Sequence, residues 1–414
     1  MSEGSDPILV VGGGAAGLMA AITAARCAPA AEVIVIDGAR RLGAKILISG
    51  GGRCNVTNRI VTARDFNGGA SRVITRVLRA LPVDETVRFF EKLGVTLHEE
   101  PHGKLFPDSN RAATVLDALL GAAASAGVRL QHPRRATQLA PAAGGFLVTT
   151  DDGPLRARRV VLASGGMSVP KTGSDGRGYA MARELGHGIV LPTPALAPLI
   201  LDGTFHQPVS GVSHRVEVTL RSPGVPPRRI TGDLLWTHFG ASGPAPLDLS
   251  RHWHRAAIDG RPASVDLSFK PGERFEAVDE DLIREAGTRP RASIATVLAV
   301  RLPASVAAQV LAALALDPTV TMAHLAREDR RRLAHALTAW PMPIAGSRGF
   351  NYAEATAGGV SLDEIEPATM ESRVCPGLYL AGEVLDVDGR LGGFNFQWAW
   401  ASGYVAGRAV TKGK

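Results

Sequence analysis

The stretch that decides the fold is ILVVGGGAAGLMAA, residues 8–21, in which an apolar run meets clustered glycines and then an alanine-rich segment. This order predicts a β-strand, a tight turn and a helix, with the glycines at G-x-G-x-x-G spacing. Gly12 permits the sharp turn, Gly14 lets the backbone approach a pyrophosphate, and Gly17 lets the helix pack on the strand. A pyrophosphate would bind the free N–H groups at the positive end of that helix.

An acidic residue stands where a dinucleotide site requires one. A second apolar run, EVIVI at residues 32–36, predicts a strand and is followed directly by Asp37. Asp37 lies about twenty residues beyond Gly17, at the spacing where a ribose hydroxyl needs an acceptor. The strand, helix and acid together favour a dinucleotide-binding site over a purely structural glycine turn.

The bulk composition limits the class of protein. The 414 residues suffice for two or three domains, and the formal net charge is +7. A basic surface attracts nucleic acid but does not by itself establish specific binding. Three cysteines, Cys27, Cys54 and Cys375, are too few and too scattered for a disulfide framework or a zinc site. We therefore expect no metal.

The N-terminal residues indicate where the protein acts. Glu3 and Asp6 are acidic at a place where a signal peptide needs positive charge. Residues 8–25 are uncharged and nearly long enough to span a bilayer, but their glycines have the spacing of a phosphate-binding turn. We expect a soluble, cytoplasmic protein without a membrane partner.

Further glycine-rich stretches suggest additional contacts with a ligand. SGGGRCN at residues 49–55 is predicted to be a polar loop, and its Arg, Cys and Asn favour a ligand-binding loop over a flexible linker. ASGG at 163–166 and AGE at 381–383 each follow a predicted strand, and open α/β sheets bind ligands at the carboxyl ends of their strands. RLGGFN at 390–395 is predicted to lead into a C-terminal helix.

Changes in residue pattern along the chain predict a domain that is interrupted by an insertion. Residues 1–190 and 345–414 carry the motifs typical of ligand-binding loops and are predicted to form one discontinuous dinucleotide-binding domain. Apolar residues alternate with polar ones in residues 191–275, as in strands, and recur at helical spacing in residues 276–344. Helices are predicted at 71–81 and 84–93, the second with Asp84 as its N-cap. The run Arg330–Arg332 is more typical of a solvated helix face than of an RNA contact.

The chain resembles the BaiN/RdsA-type family of NAD(P)/FAD-dependent oxidoreductases, flavoproteins of the glutathione-reductase-like FAD superfamily. The resemblance covers nearly the whole chain and rests on GGGAAGLMAA, KILISGGGRCNVTN, THFGASGP, TAGGVSLDEI, GLYLAGEVLDVDG and GGFNFQWAWASG. It implies an α/β fold, namely a discontinuous Rossmann-like FAD-binding domain with an inserted β-rich subdomain and a small helical subdomain.

The resemblance also implies the residues that bind the nucleotide half of FAD. It assigns Asp37 to the adenosine ribose, and Ala136 and Gly165 to the adenine side. The pyrophosphate is assigned to the glycine turn and first helix: Gly12, Gly14, Ala15, Ala16 and Gly17.

For the flavin half, the resemblance assigns Gly382 and Glu383 to the ribityl–phosphate portion. Trp398 and Trp400 are expected to pack the C-terminal helix rather than to contact the cofactor. The expected lining of the flavin comprises Lys45, Gly51, Gly52, Arg53, Cys54 and Asn55 on one side, and Gly392, Gly393, Phe394, Asn395 and Phe396 around the isoalloxazine.

The reactions ascribed to the family reduce a C=C bond conjugated to a carbonyl, in a steroid-like enone or in a uracil of ribosomal RNA. Such a reaction needs a general acid, for which Cys54 and His238 are the candidates; the alternatives are a buried packing cysteine and a structural histidine. Only one G-x-G-x-x-G unit is present, so NAD(P)H has no dedicated domain. NAD(P)H is expected to bind transiently as the electron donor, and the alternative is another reductant. Three hypotheses remain: a reductase of a small conjugated substrate, a ribosomal RNA dihydrouridine synthase, and a non-catalytic flavin-binding protein.

Overall fold

A computed structural model of the protein describes residues 6–412. Its internal contacts form two compact units: unit 1 runs to Pro194 and resumes at Ala353, and unit 2 is Ala195–Tyr352. These borders lie a few residues after the expected ones at 190 and 344. Within unit 2 the strands and helices share one hydrophobic core, so the expected separation into β-rich and helical subdomains stays a prediction.

The α-helices are numbered in chain order. They are α1 Ala15–Cys27, α2 Ala44–Gly52, α3 Ser71–Ala80, α4 Val83–Lys92, α5 Ala112–Ser125, α6 Arg177–Glu184, α7 Pro244–Ile258, α8 Phe275–Thr288, α9 Ile294–Ala299, α10 Ala304–Ala313, α11 Arg327–Thr338 and α12 Phe394–Val410. Short 3-10 turns lie at Ala63–Asp65, Pro101–Gly103, Pro170–Thr172, Met322–His324, Leu362–Glu364 and Gly382–Val384.

The strands are numbered in the same way. They are β1 Ile8–Val11, β2 Val33–Ile36, β3 Thr57–Asn58, β4 Phe66–Gly68, β5 Leu97–Glu100, β6 Lys104–Pro107, β7 Arg129–Gln131, β8 Ala136–Ala142, β9 Gly145–Thr150, β10 Leu155–Ala157, β11 Arg159–Leu162, β12 Ile189–Ala195, β13 Leu199–Leu201, β14 Ser213–Ser222, β15 Val225–Thr237, β16 Gly240–Ser242, β17 Ser264–Ser268, β18 Trp340–Pro341, β19 Ile344–Ser347, β20 Ala355–Val360, β21 Ile365–Glu366, β22 Glu371–Ser372, β23 Leu378–Leu380 and β24 Val387–Gly389.

The core of unit 1 is a seven-stranded sheet in the order β21-β22-β23-β11-β1-β2-β7. The strands from β23 to β7 are parallel, with Leu9 opposite both Ile34 and Val160. Residues 8–11 and 33–36 are buried throughout, as expected for apolar strands covered on both faces of a parallel sheet. The predicted α/β class with a Rossmann-like core is confirmed.

The two ends of the chain meet in unit 1 because α1 and α12 pack closely together. A Cβ on Gly403 would overlap the carbonyl oxygen of Ala16, and one on Gly407 would overlap that of Ala20. Because the glycines and the carbonyls advance together by four residues, the two helices run in the same direction. Small residues on both helices are therefore what allows this close approach.

Two local predictions differ from the structure. The predicted loop at 49–55 is in part helical, since α2 extends to Gly52 with a kink at which Gly50 and Gly51 have φ of 55° and 68°. Only glycine adopts this left-handed backbone without strain. The N-cap of α4 is Pro82 rather than Asp84, which lies in the first turn.

Unit 2 is built on a second seven-stranded sheet, in the order β18-β17-β14-β15-β16-β13-β19. Its neighbouring strands pair in the antiparallel sense, and the long hairpin β14–β15 is its centre. Helix α7 packs on the hairpin, and α11 packs on α8 and β17. Within residues 6–412, no helix is both long enough and apolar enough to cross a membrane.

Candidate functional site

The expected binding loops converge at one edge of the parallel sheet, where the strands of unit 1 end. The N–H of Gly12 donates to Ile36 O at 2.8 Å, and that of Ala163 donates to Val11 O at 2.9 Å. The N–H of Ala381 donates to Leu162 O at 3.1 Å. The carboxyl ends of β1, β2, β11 and β23 therefore lie side by side, at the edge where open α/β sheets bind ligands.

The three glycines of the first turn have different neighbours. A Cβ on Gly12 would overlap Ala163 O, and one on Gly17 would overlap Gly12 O, so both glycines are required by the packing of the protein. A Cβ on Gly14 would meet nothing within 4 Å. Gly14 is the N-cap of α1, which has no side-chain cap and no acid in its first turn. This open, positively polarised helix end fits a pyrophosphate.

Asp37 is fixed beside that turn. Its carboxylate accepts hydrogen bonds from the N–H of Gly13 and of Ala39, both at 2.7 Å. Each oxygen retains lone-pair capacity for a ribose hydroxyl. The N–H of Arg134 donates to Asp37 O at 2.7 Å, which brings the segment leading to β8 next to the acid.

Of the two residues expected on the adenine side, Ala136 is buried at 7 % exposure and begins β8. Gly165 is half-buried with φ of 75°, and a Cβ there would overlap the hydroxyl of Ser174. Neither residue offers a polar side chain to a base, so any contact with adenine would use the backbone.

Glu383 belongs to a buried polar network at the end of β23. Lys45 Nζ donates to Glu383 Oε2 at 2.7 Å and to Ser168 Oγ at 2.8 Å. Ser168 Oγ and the Thr356 N–H both donate to Glu383 Oε1, at 2.6 and 2.8 Å. Thr356 Oγ1 in turn accepts from the N–H of Ser168 at 3.0 Å. Four chain segments are thus joined around one carboxylate.

The charge of Glu383 is stabilised by this network. Burial by itself raises the pKa of the carboxyl group, but Lys45, Ser168 and Thr356 outweigh it, so that the pKa lies below its ordinary value of 4.5. Sequence reasoning found Lys45 and Glu383 but missed Ser168 and Thr356. The sequence signal that could have identified Ser168 and Thr356 is their position close to the glycine pairs at 165–166 and 358–359.

In the triple-glycine segment the glycines are exposed, whereas the side chain of the following Arg53 contacts other residues of the protein. Gly51 and Gly52 are exposed, and a Cβ added at Gly51 would meet nothing within 4 Å. Arg53, by contrast, pairs with Glu100 at 2.5 Å and lies 4.2 Å from the ring centre of Phe106. The glycine backbone of this segment is therefore open to a flat ligand, whereas the Arg53 side chain, although 41 % exposed, is held by Glu100 and Phe106.

Cys54 is fully buried, with 0 % exposure and φ of 62°. Burial raises the pKa of its thiol to about 12. A side chain without accessible surface touches no substrate, so the geometry favours the packing alternative over the general acid.

Asn55 and α12 are joined at the N-terminus of that helix. With its amide oriented to satisfy its neighbours, Asn55 donates to Thr57 O at 2.8 Å and accepts from the N–H of Gly393 at 3.1 Å. Asn395 exchanges two hydrogen bonds with the backbone of Gly389, at 2.8 and 3.0 Å. Both amide side chains thus shape the loop and leave the helix backbone to face a ligand.

The remaining residues expected around the isoalloxazine differ in exposure. Gly392 and Phe394 are buried, whereas Gly393 and Phe396 are half-exposed. Gly382 is also buried, and its N–H donates to Ser402 Oγ at 2.9 Å. Trp398 and Trp400 are 2 % and 0 % exposed and their indole N–H groups bond to backbone carbonyls, which confirms their packing role.

The two helix N-termini are separated along their common direction. Gly403 of α12 lies against Ala16 of α1, and Phe394 begins α12 nine residues earlier. Since Ala16 is the second residue of α1, the N-terminus of α12 extends about 12 Å beyond that of α1, at about 1.5 Å per residue. An elongated ligand could therefore meet α1 with its phosphates and α12 with its other end.

His238 lies in unit 2, in the turn between β15 and β16. Its side chain is exposed and its ring contacts Phe239 at 5.1 Å. The guanidinium of Arg348 lies 4.8 Å from the centre of Phe239 and 3.4 Å from that of Tyr352. No carboxylate among residues 6–412 forms an ion pair with Arg348. This group of aromatic rings around an arginine was not predicted from the sequence.

The fold agrees with the class of protein that the comparisons show, an FAD-dependent oxidoreductase. The family model described as "HI0933-like protein Rossmann domain" matches residues 6–409, and the chain belongs to this family. The resemblance identified from the motifs is confirmed.

Curated relatives match almost end to end. The chain is 33 % identical over 403 residues to the 3-dehydro-bile acid delta(4,6)-reductase of Clostridium scindens, covering 97 % of this chain and 98 % of the relative. It is 32 % identical to the ribosomal RNA dihydrouridine synthase of Escherichia coli, covering 98 % of each. The corresponding synthase of Haemophilus influenzae is 30 % identical over the full length of both.

Solved structures share the fold at low identity. The 3-ketosteroid delta1-dehydrogenase of Sterolibacterium denitrificans matches with a TM-score of 0.51 and 14 % identity, covering 99 % of both chains. A quinol-fumarate reductase matches with a TM-score of 0.51 and 17 % identity, covering 98 % of this chain and 70 % of that one. These two likenesses concern the fold alone.

Proposed function

We propose that this enzyme reduces a C=C bond conjugated to a carbonyl in a small molecule, with NAD(P)H as the electron donor. The proposal is supported by the reactions of two relatives, which have different substrates but both act on a double bond conjugated to a carbonyl. A delta(4,6)-reductase of a 3-dehydro-bile acid acts on double bonds conjugated to the 3-oxo group. A dihydrouridine synthase acts on a uracil double bond that is likewise conjugated to a carbonyl.

Each part of the unit 1 site has a place in this proposal. FAD, when bound and reduced by NAD(P)H, would supply the hydride for the β-carbon of the substrate from its N5. The Gly14 end of α1 would hold the pyrophosphate, and Asp37 the adenosine ribose. The exposed glycines at 51–52 and the N-terminus of α12 would face the flavin end, where a positive helix end stabilises negative charge.

A proton must reach the α-carbon, and of the two candidates named from the sequence we propose His238 rather than Cys54 for this step. Its exposed side chain can contact a ligand, whereas that of Cys54 cannot. We expect H238Q to slow reoxidation of the reduced flavin by an enone at least tenfold while leaving flavin reduction unchanged. C54A should leave both half-reactions unchanged, and the reverse result would restore the thiol as the acid.

Ribosomal RNA is the second candidate substrate. It is favoured by two relatives named ribosomal RNA dihydrouridine synthase and by the net charge of +7. The substrate would be a uridine in a single-stranded or unstacked region, since a stacked base is inaccessible to a flavin. The cytoplasmic location expected from the sequence stays a prediction in either case.

One experiment separates the candidates. The FAD-loaded protein is reduced without oxygen and mixed with a 4-en-3-oxo steroid or with a uridine-containing fragment of ribosomal RNA, and flavin absorbance is followed. Faster reoxidation by the steroid alone supports the small-molecule proposal, and faster reoxidation by RNA alone supports the second candidate. Indifference to both would contradict conjugated C=C reduction. Comparing NADH, NADPH and dithionite in the reductive step tests the electron donor.

A further inference from the structure

Helix α3 of unit 1 has one strongly basic face. Arg72, Arg76 and Arg79 are all exposed, at positions i, i+4 and i+7, and therefore lie on one side of the helix. The opposite side is apolar and buried, through Val73, Ile74, Val77 and Leu78. The three arginines form what we call the α3 basic face.

These arginines lack the acidic neighbours that usually accompany exposed charges on a helix. Among residues 6–412, no carboxylate forms an ion pair with Arg72, Arg76 or Arg79. Like charges three and four residues apart destabilise a helix by about 0.2–0.5 kcal/mol per pair. The helix dipole disfavours Arg72 in the first turn and favours Arg79 in the last turn, so the net cost to the helix comes from the like-charge pairs. An arrangement that costs the helix stability is expected where it serves binding.

Helix α3 packs beside the proposed flavin end of the site through its apolar side, and the α3 basic face is the outer surface of that helix. Helix α3 contacts both α12 and the 3-10 turn Ala63–Asp65, in which Arg64 is also exposed. Asp65 accepts a hydrogen bond from Arg390 Nε at 2.8 Å. The guanidinium of Arg390 lies 4.3 Å from the ring centre of Phe394, the first residue of α12. A continuous set of contacts thus links the turn beside α3 to the N-terminus of α12.

A second arginine cluster, on α11 of unit 2, provides a contrast. Arg332 is paired with Asp329 at 2.9 Å, and Arg331 lies 5.0 Å from the ring centre of Phe275. Glu328 and Asp329 stand within the same arginine run. This helix carries at least as many arginines over a similar length, but its charge is partly compensated.

We propose that the α3 basic face binds successive phosphates of a single-stranded RNA whose uracil enters the flavin end of the site. The proposal rests on the second candidate function and names the surface that would select such a substrate. Arginine binds phosphate through paired, charge-assisted hydrogen bonds. From Arg72 to Arg79 the face extends about 10 Å along the helix, which is enough to meet more than one phosphate.

The test measures binding of fluorescein-labelled oligouridylate to the FAD-loaded protein by anisotropy, over a range of salt concentrations. The variant R72A/R76A/R79A is compared with R327A/R331A/R332A on α11, which removes the same charge. Each phosphate contact on a single strand contributes about 0.7 to the slope of log affinity against log salt concentration. Loss of three contacts should therefore lower that slope by about two and weaken binding at least tenfold at moderate salt, whereas the α11 variant should keep both values.

The outcomes distinguish this surface from the proposed reaction. Flavin absorbance and thermal unfolding of each variant establish that it is folded and loaded, and alanine favours the helical state. Unchanged affinity and slope in the α3 variant, or an equal loss in the α11 variant, would overturn the proposal even if reduced flavin is reoxidised by RNA. Wild-type protein that is reoxidised by the steroid but does not bind oligouridylate would overturn it while leaving the small-molecule proposal intact. Reoxidation by the steroid should be equal in all three proteins.

Discussion

At the level of single residues, a substitution at Gly14 can test cofactor binding without disturbing the packing of the protein. A methyl group at this position would meet no protein atom within 4 Å, and the φ of −87° is one that alanine adopts. We expect G14A to leave the free energy of unfolding of the FAD-free protein within about 0.5 kcal/mol of wild type. Because the methyl group would project into the space proposed for the pyrophosphate, the Kd for FAD should rise at least tenfold in a fluorescence titration. Equal affinity in the variant would remove Gly14 from the site.

Lys45 is expected to matter mainly through Glu383. Their side chains are 26 % and 19 % exposed, so removal of the cation leaves a largely buried carboxylate without its ion-pair partner. We expect K45M to lower the free energy of unfolding by about 1–3 kcal/mol in urea denaturation. The control is R88M, which breaks the exposed pair Arg88–Glu85 and should cost no more than about 0.5 kcal/mol. Equal losses in the two variants would indicate that the Lys45 network adds nothing specific.

The effect of K45M should depend on pH in a defined direction. The pKa of Glu383 is lowered in the folded protein, so its ion pair contributes stability above the ordinary value of 4.5 and loses it as the pH falls through the lowered pKa. In K45M the carboxyl is protonated more readily and the penalty disappears in acid. The difference in unfolding free energy between wild type and K45M should therefore shrink as the pH drops below 4.5. A constant difference would place the destabilisation elsewhere than in the charge.

At the level of elements, the contact between α1 and α12 depends on glycine. A methyl group on Gly403 would overlap the carbonyl oxygen of Ala16, within the helix proposed to hold the pyrophosphate. We expect G403A to destabilise the protein by about 1–3 kcal/mol through overpacking and to weaken FAD binding as α1 shifts. The matched control is G121A in α5, where nothing lies within 4 Å of the added methyl group. That change should be neutral or stabilising by up to about 1 kcal/mol.

The elements that sequence could predict are those with local signals. The strand, turn and helix around Gly12 follow from apolar runs and glycine spacing, and helices at 71–81 and 84–93 match α3 and α4 within three residues. The network around Glu383 had no such signal, because Lys45 and Glu383 are 338 positions apart. The burial of Cys54 likewise depends on tertiary packing, which a polar and glycine-rich neighbourhood did not indicate.

At the level of the whole molecule, we expect each unit to fold separately, because each has its own hydrophobic core. Unit 2 has its own hydrophobic core, and its two ends meet where β13 pairs with β19, with Leu199 opposite Ser347. In unit 1 the corresponding cut ends lie near each other, because β12 and β20 are paired. A domain tolerates an insertion whose two ends lie close together, because the inserted segment then does not separate the parts of the host domain.

This organisation predicts that unit 1 binds FAD without unit 2. A chain in which a short glycine–serine linker joins Pro194 to Ala353 keeps the strand ends, Asp37, the Glu383 network and both helix N-termini, so it should fold and take up FAD with a yellow colour. Residues 195–352 expressed alone should unfold cooperatively and remain colourless after incubation with FAD. Reduction of the linked unit 1 by dithionite should proceed, but its reoxidation by an enone should be slow, since this chain lacks His238, the residue proposed as proton donor. A linked unit 1 that folds by circular dichroism yet does not bind FAD would show that the cofactor site requires residues from the insert.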